Sequence, residues 1–474
     1  MVDVLTPDLC VVGAGSGGLS VAAGAVQMGA SVVLIEGHKM GGDCLNYGCV
    51  PSKALIAAAK KAHAHRHSAA FGIAEHEPDV DYARAMGHVG EVIAGIAPHD
   101  SVERFERLGC TVIQDIARFV SPTEMEAGGR RIRARRFVLA TGSSPAVPPI
   151  PGLDQVPYLT NETLWDNVVL PETLIIVGGG PIGLEMAQAH RRLGSKVVVL
   201  EAFKAMAKDD PEIAAIALQS LRDEGIDIRE DTMAERVEQN GGGIVVHLKG
   251  GGTVSGSHLL VAAGRSANVG SLDLEAGNVA FERRGVKVNR GLRSTTNKRV
   301  YAIGDVAGGL QFTHVANYHA GLVVRNALLR MPVANQTRHI PWVTYTDPEV
   351  AHVGMTEAEA IEKLGRKLEV HRFSFAENDR ARADLRTEGM IKAIFCTWGR
   401  IHGVSIVGPS AGELIGPWAL ALSKGLKIKD MTGMVAPYPT LGEVNKRVAG
   451  AYYGKRLFES DRIKSIVRLL ARLG

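Results

Sequence analysis

Residues 8–36 read DLCVVGAGSGGLSVAAGAVQMGASVVLIE. A short apolar run, Leu9–Val12, leads into Gly13, Gly15 and Gly18, then into a small-residue stretch of helical character. A second apolar run, Val32–Ile35, ends in Glu36. The spacing predicts strand, tight turn, helix and strand. Gly13 permits the turn, Gly15 lets the backbone approach a pyrophosphate, and Gly18 allows close helix–strand packing. Glu36 stands where a carboxylate can take ribose hydroxyls. Three spaced glycines alone are a weak signal, but embedded in strand, turn, helix and acid they specify a dinucleotide site.

The pattern recurs at 173–201, TLIIVGGGPIGLEMAQAHRRLGSKVVVLE, with Gly178, Gly180, Gly183 and Glu201. Two such units imply two bound nucleotides and an α/β protein with two Rossmann-like dinucleotide-binding domains. A carboxylate at 201 bonds a free ribose 2′-OH and repels a 2′-phosphate, which favours NADH over NADPH. Lys204 and Lys208 stand close enough to soften that preference.

Between the two units lies GGDCLNYGCVPSKAL, residues 41–55, with Cys44 and Cys49 separated by four residues. Both thiols fall at or near the start of an Ala-rich helix, where the partial positive charge of the terminus favours thiolate. On spacing alone the two sulfurs read as a reversible disulfide or as unrelated core cysteines.

Composition narrows the class. The chain has 474 residues, 46% apolar and 22% charged, enough for a large core and for two to four domains. A net charge of +4 without a dense basic block excludes nucleic-acid binding as the main role. Five scattered cysteines do not form a secreted disulfide scaffold, and the start MVDVLTPDLC does not read as a secretory leader. A soluble, cytoplasmic protein is expected. His63 and His67, one turn apart, lack a neighbouring carboxylate or thiol and read as a solvated helix face, so no metal site is expected.

The paired Gly, the CLNxGC core and the VPSKAL continuation resemble the redox-active stretch of the class I pyridine nucleotide–disulfide oxidoreductases, the family of lipoamide dehydrogenase, glutathione reductase and mercuric reductase. The likeness extends along nearly the whole chain. It includes ATGSSPAVPPIPG at 140–152, with Thr141 and Gly142, and VAAGRSAN at 261–268, with Gly264. TNKRVYAIGDVAGG at 296–309 carries Gly304 and Asp305, and PWVTYTDPEVAHVGMTEAEA resembles the opening of the family's dimer domain. The resemblance implies an FAD-binding domain over 1–150 that returns at 270–338, an NAD(P)-binding domain over 151–269, and an α+β dimerisation domain over 339–474. It implies a homodimer in which FAD passes electrons between NAD(P)H and a dithiol or disulfide through a Cys44–Cys49 disulfide. Cys49 would be the charge-transfer thiolate, Cys44 the interchange thiol, Lys53 and Glu185 an ion pair beside the flavin N5, and Asp305 a ligand of the ribityl chain.

One departure bears on the acceptor. Where lipoamide dehydrogenase and glutathione reductase carry a catalytic His–Pro with a Glu five residues on, this chain reads VAPYPTLGEVNKR at 435–447. Pro439 and Glu443 match, but Tyr438 replaces the His. A phenol of pKa about 10 is a poor base near neutrality, so dithiol oxidation is expected to be impaired. The Tyr resembles mercuric reductase, yet no cysteine follows Cys396 to deliver a metal ion. A mercuric, other metal-ion or quinone reductase of the same fold is therefore an alternative, and a redox-responsive flavoprotein binding module is another. The tail SDRIKSIVRLLARLG places apolar residues at helical spacing among cations. It is expected to pack on the dimer domain, with contact to a membrane surface as the sharper reading.

Overall fold

The computed structural model describes residues 3–365 and 367–473. The chain forms two compact units, one of Met1–Gly178, Ala189–Leu200 and Thr232–Asn335, the other of Gly179–Gln188, Glu201–Asp231 and Gln336–Gly474.

In the first unit a parallel five-stranded sheet runs in the order Val300–Ala302, Arg136–Leu139, Leu9–Val12, Val32–Glu36, Thr111–Gln114. Side chains alternate faces along each strand. Leu9, Val11, Leu34 and Val138 therefore enter one core with the helices Ser16–Gln27 and Thr313–Leu329, while Cys10, Val12, Val33, Ile35 and Phe137 enter another. Burial on both faces explains why the strands read as unbroken apolar runs. The edge strand Val300–Ala302 is contributed from far along the chain and pairs with Phe137–Leu139.

A second parallel set joins Thr173–Val177 to Lys196–Leu200 and to His258–Val261. An antiparallel ribbon, Ala234–Asn240, Gly243–Leu248 and Thr253–Gly256, fills the stretch between. Its turns use Gly241 and Gly242 at φ +57° and +89°, a backbone conformation in which glycine is strain-free.

The Ala-rich helix after the glycine pair begins at Cys49 and ends at Arg66. Pro51 lies in its first turn, where the missing N–H has no helical partner to lose. Tyr82–Ile96 and Val102–Leu108 are separate helices, divided by a 3₁₀ turn containing Pro98. The Ser101 hydroxyl accepts from Arg104 N–H at 3.3 Å and caps the restart.

The second unit is built on an antiparallel sheet in the order Trp342–Thr344, Glu349–Gly354, Ile401–Gly408, Met390–Cys396, Leu368–Ser374. Helices Gly416–Lys424 and Glu443–Tyr453 pack on it through Trp418, Val448 and Tyr452 against Phe395. Lys392 is buried in the sheet and pairs with Asp210 at 2.9 Å, Glu212 at 2.9 Å and Glu357 at 2.6 Å. The tail forms the expected helix, Asp461–Leu470, but it is not packed as expected, since none of its residues is buried. Among the described residues no helix is long and apolar enough to cross a membrane.

Candidate active site

The cysteine pair is positioned by three close backbone approaches. Gly41 N–H donates to Ala14 O at 2.9 Å, and Gly15 and Gly41 form an isolated parallel bridge. A Cβ on Gly42 would lie 2.6 Å from Gly15 Cα, so the glycine pair before the cysteines is what lets this stretch lie on the first Gly-rich turn. Cys44 sits in the short helix Gly42–Asn46, and Cys49 is the first residue of the helix that follows.

Cys44 and Cys49 are in the dithiol rather than the disulfide form. Cys49 Sγ is 3.6 Å from Thr313 Oγ1, and Thr313 opens the helix Thr313–Leu329. Two helix N-termini thus converge on one sulfur, and both favour a thiolate there. The Cys44 thiol is pushed well up, first by its hydrogen bond to Cys49 and then by burial. The pair holds one proton on Cys44 more readily than two negative charges. Cys44 also lines a cavity of about 390 Å³ with Ser20, Asp100, Arg104, Phe105 and Asn317.

Next to Cys44, Asp43 meets the Arg265 guanidinium at 3.0 Å and accepts from Asn161 Nδ2 at 3.2 Å. Arg265 donates to Ser143 Oγ and Ser143 O, each at 2.7 Å, and the Ser143 hydroxyl donates to Asp305 at 2.5 Å. Burial raises the Asp305 carboxyl, while Ser143 and Arg265 act in the opposite direction. The backbone carrying these groups is a ribbon, Ser143–Pro145 against Arg265–Ala267. Thr141 Oγ1 donates to Asn268 O at 2.8 Å and Asn268 N–H to Gly142 O at 3.0 Å, which locks the ribbon at its end. Gly142 and Gly264, which lead into its two strands, take φ of +67° and +133°, and Gly304 takes +64° at the start of the 3₁₀ turn Gly304–Ala307.

Glu201 Oε2 accepts from Gly179 N–H at 2.7 Å and Oε1 from Phe203 N–H at 2.9 Å. Lys204 is held by Asp231 at 2.6 Å. Gly178 has φ +118°, and a Cβ there would lie 2.4 Å from Ala262 O. Gly180 precedes the helix Pro181–Leu193, and Gly183 lies in its first turn. Farther along that helix Glu185 is buried and accepts from Tyr345 N–H at 2.9 Å. Lys53, on the Cys49 helix, donates to Ser52 Oγ at 3.3 Å.

Tyr438 is 70% exposed, and its hydroxyl donates to Asp379 Oδ2 at 3.0 Å. Asp379 is the first cause holding the phenol above its ordinary value; Glu443 adds a smaller push in the same direction. The group is a neutral donor rather than a base.

Residues 7–320 match the family model of the pyridine nucleotide-disulphide oxidoreductases, and residues 340–449 match that family's dimerisation domain. The chain belongs to this family. A mercuric reductase of Lysinibacillus sphaericus is 33% identical over 93% of this chain and 82% of its own length. A dihydrolipoyl dehydrogenase of Thermus scotoductus is 34% identical over 96% of this chain and 100% of its own. Among solved structures, the HOCl-induced flavoprotein disulfide reductase RclA from Escherichia coli superposes with a TM-score of 0.84 at 29% identity, covering 94% of this chain and 99% of that one. The protein is an FAD-dependent pyridine nucleotide–disulphide oxidoreductase, and its dimerisation domain supports a homodimer.

The residues present fit the flavin nucleotide of this family. A Cβ on Gly13 would lie 2.4 Å from Ala140 O and one on Gly18 would lie 1.8 Å from Gly13 O, so only glycine makes this cradle. Gly15 caps the helix Ser16–Gln27 without a side-chain hydrogen bond, leaving first-turn N–H groups to a phosphate. Glu36 is fixed by Ala14 N–H at 2.6 Å and His38 N–H at 2.8 Å. The sequence reading did not single out Arg265, Asp43, Ser143 or Asp379. Arg265 had a signal, since a guanidinium in an otherwise small and apolar segment needs partners. Asp379 had none, because nothing local ties it to Tyr438.

Proposed function

We propose that the enzyme oxidises NADH and reduces a small thiophilic acceptor through the Cys44–Cys49 pair. The observation that carries this reading is the asymmetry of the two sulfurs, with Cys49 under two helix N-termini and Cys44 on the wall of a cavity. Bound FAD supplies the two-electron relay between nicotinamide and disulfide. As the family resemblance implies, Lys53 and Glu185 would serve the flavin as a charged pair, and Asp305 would hold its ribityl chain. The segments 1–150 with 270–338, 151–269 and 339–474 serve flavin, nicotinamide and dimer contact, in a cytoplasmic enzyme.

With a disulfide acceptor, Cys44 Sγ attacks one acceptor sulfur, and the acceptor S–S bond breaks. The proton of Cys44 ends on the departing thiol. The Cys49 thiolate then attacks Cys44 Sγ, releasing the second acceptor half as a thiolate that takes a solvent proton. The Cys44–Cys49 disulfide re-forms and receives two electrons from NADH. The sum is NADH, one proton and a disulfide giving NAD⁺ and two thiols.

A second reading, reduction of a soft metal ion held by the two sulfurs, is favoured by Tyr438. The family's oxidation of dithiols needs a base at that position, and a phenol hydrogen-bonded to Asp379 is not one. Relatives named mercuric reductase, and an E. coli RclA structure described as a Cu(II) complex, support testing Hg(II) and Cu(II).

The deciding experiment uses Cys44→Ser with NADH under anaerobic conditions. Flavin reduction should persist with a long-wavelength band from the Cys49 thiolate, while turnover with disulfide, Hg(II) and Cu(II) is lost. Full turnover with any of these would remove the dithiol route for that acceptor.

A further inference from the structure

The helix Asp461–Leu470 begins with a regular cap, Ser460 Oγ accepting from Ile463 N–H at 3.4 Å, yet none of its residues is fully buried and only Ile463 is half-buried. At 100° per residue, Ile463, Ile466, Val467 and Leu470 fall on one side and Lys464 and Arg468 on the other. Leu469, Leu470 and Leu473 are 59%, 58% and 75% exposed. The segment also lies outside both family matches, 7–320 and 340–449.

A second apolar feature stands beside the base of this helix. Trp398 is 85% exposed on the turn between Met390–Cys396 and Ile401–Gly408. The preceding carbonyl, Thr397 O, accepts from Tyr452 Oη at 2.8 Å and from Arg456 Nη2 at 3.3 Å. The turn is thereby tied to the segment Gly454–Phe458 that leads into the helix, and Phe458 is itself 76% exposed. Exposed Arg400 and Lys427, joined by a backbone bridge, flank the tryptophan with further positive charge.

We propose that the helix Asp461–Leu470, Phe458 and Trp398 form a docking surface for a bilayer containing anionic phospholipid. The helix carries Lys464 and Arg468 opposite its apolar side and Arg462 at the margin, has one anion, Asp461, and is followed by Arg472. An apolar side with a basic back and a neighbouring tryptophan is the chemistry of an interfacial element. A second copy of the chain would cover the apolar side but bring two basic rims together, which charge opposes. At about 1.5 Å per residue the helix spans roughly half of a ~30 Å hydrocarbon core, so it lies along the surface rather than across it.

The test uses the full-length holoenzyme, sedimented with phosphatidylcholine vesicles and with vesicles of phosphatidylcholine and phosphatidylglycerol. The anionic vesicles should pellet at least tenfold more protein at low salt. Trp398 emission should shift to the blue, and a Trp398→Phe control should lack the shift. Ile466→Glu combined with Leu470→Glu should abolish pelleting and leave NADH oxidation in solution unchanged. The proposal is overturned if the wild type ignores anionic vesicles or if the double variant still pellets with them. It is equally overturned if the double variant dissociates the dimer while the wild type shows no vesicle binding, which would assign the apolar side to a second copy.

Discussion

Arg265 and Asp43 meet at 3.0 Å, and Asp43 is the residue immediately before Cys44. Arg265 is only 13% exposed, so its charge is compensated by the redox stretch on one side and by Ser143 and Asp305 on the other. A guanidinium serves this site because its fork reaches a carboxylate, a hydroxyl and a carbonyl at once. Arg265→Leu leaves two carboxylates short of their partner. The expected loss is about 2 kcal/mol, below the value for a fully buried pair because Asp43 is partly solvated. The urea midpoint of the holoenzyme measures it. Arg265→Lys should recover part of the loss, and an unchanged midpoint for Arg265→Leu would show that the pair contributes nothing.

Tyr438→His should restore a base where this chain has a phenol. Dihydrolipoamide oxidation is expected to rise by about tenfold or more, within the range usual for general-base catalysis. Asp379→Asn alone should lower the Tyr438 ionisation toward the ordinary phenol value, because Asp379 is the main cause holding it up. Spectrophotometric titration of the phenolate reads the second effect. A Tyr438→His enzyme no better than wild type would remove position 438 from acid–base chemistry.

Stability should fall between neutral and mildly acid pH on account of His352. Burial holds its imidazole down to about 4, against about 6.5 in an unfolded chain. Between those values the unfolded chain binds a proton that the folded one refuses, so stability drops as pH falls through the window. His352 Nε2 is buried without a partner and Nδ1 lies 2.7 Å from Ser405 Oγ, consistent with a neutral ring. The urea midpoint should decline from about pH 7.5 to about pH 5, and His352→Gln should flatten the decline. Glu212 acts at lower pH. Arg372 and then Lys392 hold it down to about 2, so its contribution is complete above the usual carboxylate range and lost as pH falls toward 2.

Coenzyme choice should respond to Asp231 as well as to Glu201. Lys204 would attract a 2′-phosphate, but Asp231 holds it at 2.6 Å. Asp231→Asn should release it and raise the NADPH-to-NADH ratio of kcat/KM several-fold, more so when Glu201→Gln removes the repelling carboxylate. A wild-type enzyme that already prefers NADPH would contradict the reading of Glu201.

The sequence by itself determined the two glycine turns, the cysteine pair at a helix start, the family and the helical form of the tail. Those features depend on short-range rules, namely backbone clearance at Gly13 and Gly18, a cysteine at a helix start, and 3.6-residue periodicity. Only the tertiary structure decided which distant groups neutralise one another. Arg265 reaches Asp43 and Ser143, Asp379 reaches Tyr438, and Lys392 gathers Asp210, Glu212 and Glu357, all across separations that local pattern does not encode. It also decided that the rest of its own chain leaves the tail helix largely exposed, with only Ile463 half-buried. Amphipathic spacing states that a helix has an apolar side, but what that side meets is a property of the whole surface.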